Sequence, residues 1–192
     1  MSEKNSHTTA DYINYEKALL VGNRLLTDPK NNIMGLYIVV SINLGLRVSD
    51  ILKLTFEQLR TERIVITEQK TKKRRECKVN DSIKYALRKY EDGFEFCIKK
   101  TGLIFISQKG GVFSNQQINR RLKKIFKKES KTLNVSSHSL RKSFGRAVWS
   151  RNGESEAALC TLSEIFGHTC ISVTRKYLGI RQEELDDVYM SL

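Results

Sequence analysis

The chain has 192 residues, of which 40% are hydrophobic and 29% charged, and this composition is typical of one folded globular domain. Eleven glycines and a single proline exclude collagen-like and low-complexity classes. The formal net charge is +13, and six basic residues against one acidic in 69–78 and seven against one in 120–131 carry +11 of it. Such clustering indicates a polyanionic partner, although a solvated face that favours solubility would give the same composition.

Membrane and metal-binding classes find little support in the sequence. The longest apolar stretch, residues 34–46, is too short to span a bilayer, and the polar first twelve residues have no apolar signal core. The four cysteines have no metal-ligand spacing and are interpreted as reduced thiols. We therefore expect a cytoplasmic protein that has no membrane association, no bound metal and no cofactor.

In the first half of the chain, hydrophobic periodicity predicts helices from residue 11 to a break at 27–32, over 33–44 and over 49–54. β-Branched residues at 64–66 and a second strand at 76–79 flank a basic turn and predict a hairpin. We expect residues 56–59 to add a third antiparallel strand.

In the second half, the pattern predicts helices almost throughout. One is capped by Asp81, another begins with the Ser114 and Gln117 capping box and has an almost wholly basic outer face, and a third begins near Ser137. Further helices are predicted at 156–166 and 172–178, with an acidic helix at the end. The predicted fold class is α+β, mainly helical.

Several side chains suited to phosphate chemistry occur in short motifs. Arg47 lies in GLRVSD, His138 and Arg141 lie three apart in HSLR and so share a helix face, and Tyr177 follows the Gly167–His168 pair by nine residues. Each has a structural alternative when taken alone, since an arginine can pair with a nearby aspartate and a tyrosine can pack in the core. No motif settles the function by itself.

Taken in order, these elements and a lysine in the hairpin turn resemble the tyrosine recombinase (phage integrase) family. The family pattern is an arginine in G-[LFY]-R-x-[ST]-[DE], a hairpin lysine, H-x-L-R, G-H and a tyrosine. The resemblance covers about residues 12 to 190. It implies a lambda-integrase-like catalytic domain with a small three-stranded antiparallel sheet.

The resemblance also implies a role for each residue. Tyr177 would attack a DNA phosphodiester to give a 3′-phosphotyrosyl link and a free 5′-hydroxyl, while Arg47 and Arg141 clamp the phosphate. His138 would act as acid and base towards Tyr177, and His168 would bind the phosphate. The chemistry is coherent without a metal, because guanidinium groups meet phosphate oxygens bidentately and a phenol with a pKa near 10 needs a base to attack at neutral pH.

The general acid would be a lysine near the hairpin turn. Alignment on the second strand selects Lys70, although Lys72, Lys73 and Lys78 lie close by. The other basic residues of the two segments are predicted to contact DNA phosphates or to be merely solvated. The predicted contacts are Lys72, Lys73, Arg74, Arg75, Arg120, Arg121, Lys123, Lys124, Lys127 and Lys128.

The predicted organisation is a tail at 1–10, a catalytic domain at 11–180 and a C-terminal helix at 181–192. The apolar stripe of that helix, Leu185, Val188 and Tyr189, is expected either to dock on a neighbouring protomer or to fold back onto the core of its own chain. The usual N-terminal core-binding domain is expected to be absent, as in the short fimbrial-switch invertases, unless the sequence is a piece of a longer protein. The stretch between Arg141 and His168 is somewhat longer than the family pattern leads us to expect.

The predicted function is site-specific recombination of double-stranded DNA that integrates or excises a mobile element, by a monomer that assembles into a tetramer on DNA. A short invertase or chromosome-dimer resolvase would use the same chemistry. A non-catalytic DNA-binding regulator derived from an integrase, and a type IB topoisomerase, are the alternatives outside strand exchange.

Overall fold

The computed structural model describes residues 10–70, 72–92, 102–107, 110–130 and 132–191, with the backbone alone at 181–185. The first nine residues, which the sequence assigns to a tail, lie outside this range. The elements are α1 (Tyr15–Leu26), α2 (Asn32–Leu44), α3 (Val48–Ile51), α4 (Phe56–Arg60), β1 (Arg63–Thr67), β2 (Arg74–Lys78), α5 (Asp81–Asp92), α6 (Asn115–Lys127), α7 (Ser137–Arg151), α8 (Glu156–Phe166), α9 (Ile171–Leu178) and α10 (Ile180–Met190).

Helix α2 forms the centre of the larger hydrophobic core. It is apolar on every side and almost wholly buried, and α1, α5 and α7 pack around it. The α1–α2 approach is close, because a Cβ on Gly35 would lie 2.7 Å from the Gly22 carbonyl oxygen. Helix α2 ends at Gly45 in the left-handed conformation, with φ of 56°, and there a Cβ would lie 2.3 Å from the Phe144 ring. This tight turn places Arg47 beside the first turns of α7, so that both line one cleft.

A second, smaller core lies on the other side of α7. Its buried members come from α8, from α9 and from the start of α10: Leu159, Leu162, Phe166, Leu178 and Ile180. Aromatic residues of α7, Phe144 and Trp149, pack against this cluster. Helix α7 therefore joins the two cores, and the side chains at its start lie where they meet.

The mainly helical fold is confirmed, but the three-stranded sheet is wrong. Within the described residues, β1 and β2 form a two-stranded antiparallel hairpin in which Ile64 lies opposite Cys77. Residues 56–60 form α4 instead, because Thr55 and Gln58 make a capping box at its start. Only an isolated bridge joins Thr55 to Leu103.

The predicted helices are present with small shifts at their ends. Asn80 rather than Asp81 supplies the side-chain cap of α5, by accepting the Ile83 N–H at 3.1 Å. Helix α7 begins at Ser137 as predicted, with Ser136 as its cap, and α3 begins at Val48, directly after Arg47. In the part of the chain described, no helix is both long and apolar enough to cross a membrane.

Candidate active site

Four short segments meet around the start of α7. Arg47 follows the turn after α2, His138 and Arg141 lie in the first turns of α7, and His168 lies between α8 and α9. Tyr177 lies in the last turn of α9. The side chains of this group come from positions up to 130 residues apart in the sequence, and the junction between the two cores brings them together.

The two arginines share one backbone carbonyl. Arg47 donates to the Phe166 oxygen at 3.0 Å, and Arg141 donates to the same oxygen at 3.1 Å. Arg141 also donates to the Gly45 oxygen at 2.9 Å and stacks 4.5 Å from the Phe166 ring. A guanidinium has five N–H donors, so each side chain is anchored while it keeps donors for another acceptor. Two guanidinium groups anchored to one carbonyl oxygen place two positive charges side by side, where they can bind an anion.

Arg141 is the more buried of the two, with 4% of the residue exposed. Burial lowers its pKa to about 10, and it therefore remains protonated at neutral pH. Arg47 is also held by Glu68, whose Oε2 lies 2.5 Å from Nη1. Glu68 is therefore part of the site, although it was not among the residues predicted from the sequence.

The Tyr177 ring packs edge-on against Phe166 and His168, with centroids 5.5 and 5.4 Å away. Its hydroxyl oxygen is buried and makes no hydrogen bond of normal geometry with any described residue. Burial raises the pKa of Tyr177 to about 12, against the opposing charges of Arg141 and Arg47. The phenol is therefore neutral at physiological pH, and its deprotonation needs a base.

His138 lies between two adjoining clefts. The arginine cleft, of about 460 Å³, is lined by Arg47, Lys70, His138 and Arg141. The tyrosine cleft, of about 500 Å³, is lined by His138, Lys142 and Tyr177, with Lys123 at its edge. Partial burial of the His138 ring, followed by the charge of Arg141, lowers its pKa. A neutral imidazole at this junction can accept a proton.

His168 is oriented by a neighbour on α9. Its Nδ1 lies 2.9 Å from Oγ1 of Thr174, which is fully buried. Burial, and then the charges of Arg141 and Arg47, lower the pKa of His168. Thr174 lies three residues before Tyr177, so the contact also links His168 to the helix that carries the tyrosine.

The basic hairpin has two different faces. Lys70 is exposed and reaches the arginine cleft, and Lys72, Lys73 and Arg74 are exposed around the turn. Arg75 points inwards, because it lies opposite Ile66 on the buried face of the hairpin. Its side chain is 14% exposed and donates to the Leu44 oxygen at 2.9 Å. Arg75 therefore does not lie on the exposed face of the hairpin, where the phosphate contact was predicted.

The basic helix α6 also presents two edges. Lys123 lines the tyrosine cleft, and Asn119 on the same edge accepts the Ser137 N–H at 2.8 Å. Arg121, Lys124 and Lys128 lie on the opposite edge, in a groove shared with Asp28 and Glu129. Arg120 and Lys127 are exposed between the two edges.

Three polar side chains of the site were not predicted from the sequence: Glu68, Lys142 and Thr174. Lys142 is buried, donates to the Ala10 oxygen at 2.7 Å and lies 5.5 Å from the centre of the Tyr177 ring. Its place beside Arg141, and that of Glu68 two residues before Lys70, were visible signals. The burial of Lys142 and Glu68 could not be predicted in this way, because it depends on packing between distant segments.

Comparisons with known proteins agree with this arrangement. The model of the phage integrase family matches residues 23–184. The chain is 27% identical over 153 residues to the tyrosine recombinase XerC of Bacillus subtilis (strain 168), covering 77% of this chain and 49% of the relative. It therefore spans about half the length of that relative.

Solved structures show the same fold. The crystal structure of XerA recombinase matches with a TM-score of 0.72 and 22% identity, over 95% of this chain and 65% of that one. The XerH site-specific recombinase bound to palindromic difH substrate, a post-cleavage complex, matches with a TM-score of 0.70 and 20% identity, over 98% and 55%. With its fold, its ordered motifs and the family match over most of its length, the chain belongs to the phage integrase family.

Proposed function

We propose that the chain is the catalytic part of a tyrosine site-specific recombinase, which cleaves and rejoins double-stranded DNA through a 3′-phosphotyrosyl intermediate. The observation that carries this proposal is the placement of two anchored arginines, His138 and Tyr177 around adjoining clefts, with His168 packed against the tyrosine ring. Family membership supports the same reaction.

In the proposed cleavage step, the Tyr177 oxygen bonds to phosphorus and the bond from phosphorus to the 5′-oxygen breaks. The phenolic proton passes to His138, and Lys70 gives a proton to the leaving 5′-oxygen. Rejoining reverses both transfers when a 5′-hydroxyl from a second strand attacks the phosphotyrosine. The bond energy is retained in the covalent link, so the reaction needs no nucleotide hydrolysis.

The arginine pair would stabilise the charge that develops on the nonbridging oxygens. Removing one pre-organised donor of this kind typically costs ~10²–10³ in rate. His168 would add a third donor if its Nε2 carries the ring proton. Attack also requires the Tyr177 hydroxyl to become exposed, because its oxygen is buried.

The DNA would lie across the exposed and half-buried basic residues that flank the clefts. We propose contacts to phosphates from the hairpin turn, from the cleft edge of α6 and from its outer basic face, which together comprise Lys72, Lys73, Arg74, Arg120, Arg121, Lys123, Lys124, Lys127 and Lys128. Arg75 is left out because it anchors the hairpin to α2. Each phosphate neutralised contributes ~0.9 to the slope of log affinity against log salt.

We further propose integration or excision of a mobile element as the biological reaction, with assembly into a tetramer on DNA. Inversion or resolution of a DNA segment would use the same residues. A non-catalytic regulator is disfavoured because the chain retains all the side chains that cleavage needs. A topoisomerase would relax supercoils without exchanging strands.

Covalent trapping tests the chemistry. A duplex selected by binding from a random-sequence pool is nicked, labelled at either end of the cleaved strand, and incubated with the protein in excess chelator. We expect a covalent adduct on a denaturing gel that retains the 5′-end label, and a released fragment that carries the 3′-end label and a 5′-hydroxyl. An adduct that retains the 3′-end label, or one that chelator abolishes, would refute the proposed chemistry.

A further inference from the structure

Glu68 is a buried acid within the basic hairpin. It is 4% exposed and lies directly after β1, two residues before Lys70. Its Oε2 is 2.5 Å from Nη1 of Arg47 and its Oε1 is 3.9 Å from Nη1 of Arg75. A carboxylate without partners at this depth would be strongly disfavoured, so the pairing with Arg47 is part of what keeps this residue inside.

The backbone of Glu68 forms the base of the lysine turn. The Glu68 N–H donates to the Lys73 oxygen at 3.0 Å, and the Lys72 N–H donates to the Glu68 oxygen at 2.9 Å. Lys70 lies within the turn that these two bonds close. A displacement of Glu68 would therefore move the backbone that carries Lys70.

A second tie lies at the next residue. The Gln69 N–H donates to Oδ1 of Asp50, on α3, at 2.9 Å. Arg47 and Asp50 belong to one short segment, in which the Asp50 N–H donates to the Arg47 oxygen at 3.0 Å. Residues 68 and 69 are thus both held by the segment that contains Arg47.

We propose that Glu68 is a positioning residue that locks the Lys70 turn onto Arg47, so that the general acid and one arm of the phosphate clamp move as one unit. The inference rests on the proposed function, since it takes Lys70 as the proton donor. Glu68 itself does not touch the phosphate. Its carboxylate holds Arg47 through Nη1, which leaves donors of that guanidinium for a phosphate.

The opposite effect would follow if Glu68 were a counter-ion that withholds Arg47 from DNA. Removing its charge would then strengthen DNA binding and accelerate cleavage. The two arrangements predict changes of opposite sign, so one set of variants separates them.

The test compares cleavage of a normal nicked substrate with cleavage of one whose bridging 5′-oxygen is replaced by sulfur. A thiolate leaves without a proton, because a thiol has a pKa near 8.5. A defect in the general acid is therefore relieved on the sulfur substrate, whereas a defect in phosphate binding or in folding is not. Glu68→Gln keeps the shape of the side chain and removes its charge, and Glu76→Gln is the matched control at an exposed acid of the same hairpin that pairs with Arg63.

We expect Glu68→Gln to slow cleavage of the normal substrate by ~10²-fold, the order expected when a reacting group is displaced by about 1 Å. Most of this loss should disappear on the sulfur substrate, as for Lys70→Ala, and Glu76→Gln should match wild type on both. Glu68→Asp, which keeps the charge but shortens the side chain, should show a smaller defect with the same relief by sulfur.

Equal losses on both substrates for Glu68→Gln, or faster cleavage than wild type, would overturn the inference. If Glu68→Gln does not fold, the cleavage rates of Glu68→Asp provide the test. A slower cleavage by Glu68→Asp that the sulfur substrate does not relieve would also overturn the inference. Lys70→Ala tests the proposed function separately, because failure of sulfur to relieve that variant would remove Lys70 as the acid whatever Glu68 does.

Discussion

The Nδ1 atom of His168 and the Oγ1 atom of Thr174 lie 2.9 Å apart, across the turn between α8 and α9. Thr174 is completely buried and precedes Tyr177 by less than one helical turn. When the threonine hydroxyl donates to Nδ1, the ring proton resides on Nε2, where it can meet a phosphate oxygen. In that arrangement one hydroxyl sets both the tautomer of His168 and its position relative to the tyrosine helix.

We expect Thr174→Val to slow cleavage about fivefold, the equivalent of one hydrogen bond of ~1 kcal/mol. Thr174→Ser retains the hydroxyl and should cleave nearly as fast as wild type. Single-turnover rates at saturating DNA measure the effect, with DNA affinity measured alongside. A valine variant as fast as wild type, or a serine variant as slow as the valine one, would contradict the orienting role of this hydroxyl.

Tyr177→Phe should abolish covalent attachment while fold and DNA affinity survive, because the ring packing against Phe166 and His168 does not need the hydroxyl. Tyr189→Phe is the matched control, since Tyr189 lies on α10 and is 75% exposed. Denaturing electrophoresis of the trapped adduct distinguishes them. An adduct that persists in Tyr177→Phe would exclude Tyr177 as the nucleophile.

In the DNA-free protein, we expect both His138 and His168 to titrate below the ordinary value of 6.5, because burial and the charge of Arg141 disfavour their protonated forms. The unfolded chain then binds more protons, so the free energy of unfolding falls as the pH drops below 6.5 and is retained above it.

NMR titration of the imidazole resonances measures these pKa values, with His138→Gln used for assignment. Added double-stranded DNA should raise both values, since a phosphate near Arg141 offsets the positive charge that disfavours protonation. A value at or above 6.5 in the free protein would contradict the electrostatics described for the site.

Neutralising Lys123, Lys124, Lys127 and Lys128 together to Gln should flatten the salt dependence of DNA binding, by ~0.9 in slope for each phosphate that the variant no longer neutralises. An unchanged slope and affinity would mean that this face of α6 is merely solvated. Filter binding or fluorescence anisotropy across a range of salt concentrations provides the measurement.

Two neighbouring lysines of α6 separate catalysis from general attraction. Lys123→Gln and Lys124→Gln each remove one exposed charge, but only Lys123 lines the cleft that contains Tyr177. At saturating DNA, we expect Lys123→Gln to cleave more slowly than Lys124→Gln. Equal rates would place the scissile phosphate away from the tyrosine cleft.

Deletion of residues 182–192 should abolish assembly on paired sites and leave cleavage of a single nicked site partly intact. Val188 and Tyr189, two of the three apolar residues predicted to form a docking stripe, are 59% and 75% exposed, as is Met190 at 85%. The side chain of the third, Leu185, lies outside the described residues. Analytical ultracentrifugation with DNA tests the assembly, and loss of folding in the deletion would instead favour packing of this helix on its own core.

Much of the helical structure follows from local sequence signals. The start of α6 was predicted because Ser114 and Gln117 cap each other within one turn, and Gly45 ends α2 because the left-handed backbone there suits glycine. The third strand was predicted wrongly at residues 56–59. A local signal was present here too, since Thr55 and Gln58 have the spacing of a capping box, and it favours the helix that the structure contains.

Arg74 and Arg75 show what local composition cannot decide. Both lie in the same basic run, yet Arg74 is exposed and Arg75 is held by the Leu44 oxygen. Side chains alternate across a strand, and the pairing of Arg75 with buried Ile66 decides which of the two faces inwards. That register is a property of two strands together.

The sequence by itself determined the helical class, the charge that attracts an anion and the ordered set of candidate side chains, because these depend on residue type and short spacing. Only the tertiary structure decided how those side chains are held. Phe166 supplies its carbonyl to both Arg47 and Arg141, which lie 119 and 25 residues from it, and Glu68 meets Arg47 over 21 residues. Burial and the distance between charges set these interactions, and both arise only when the segments pack against one another.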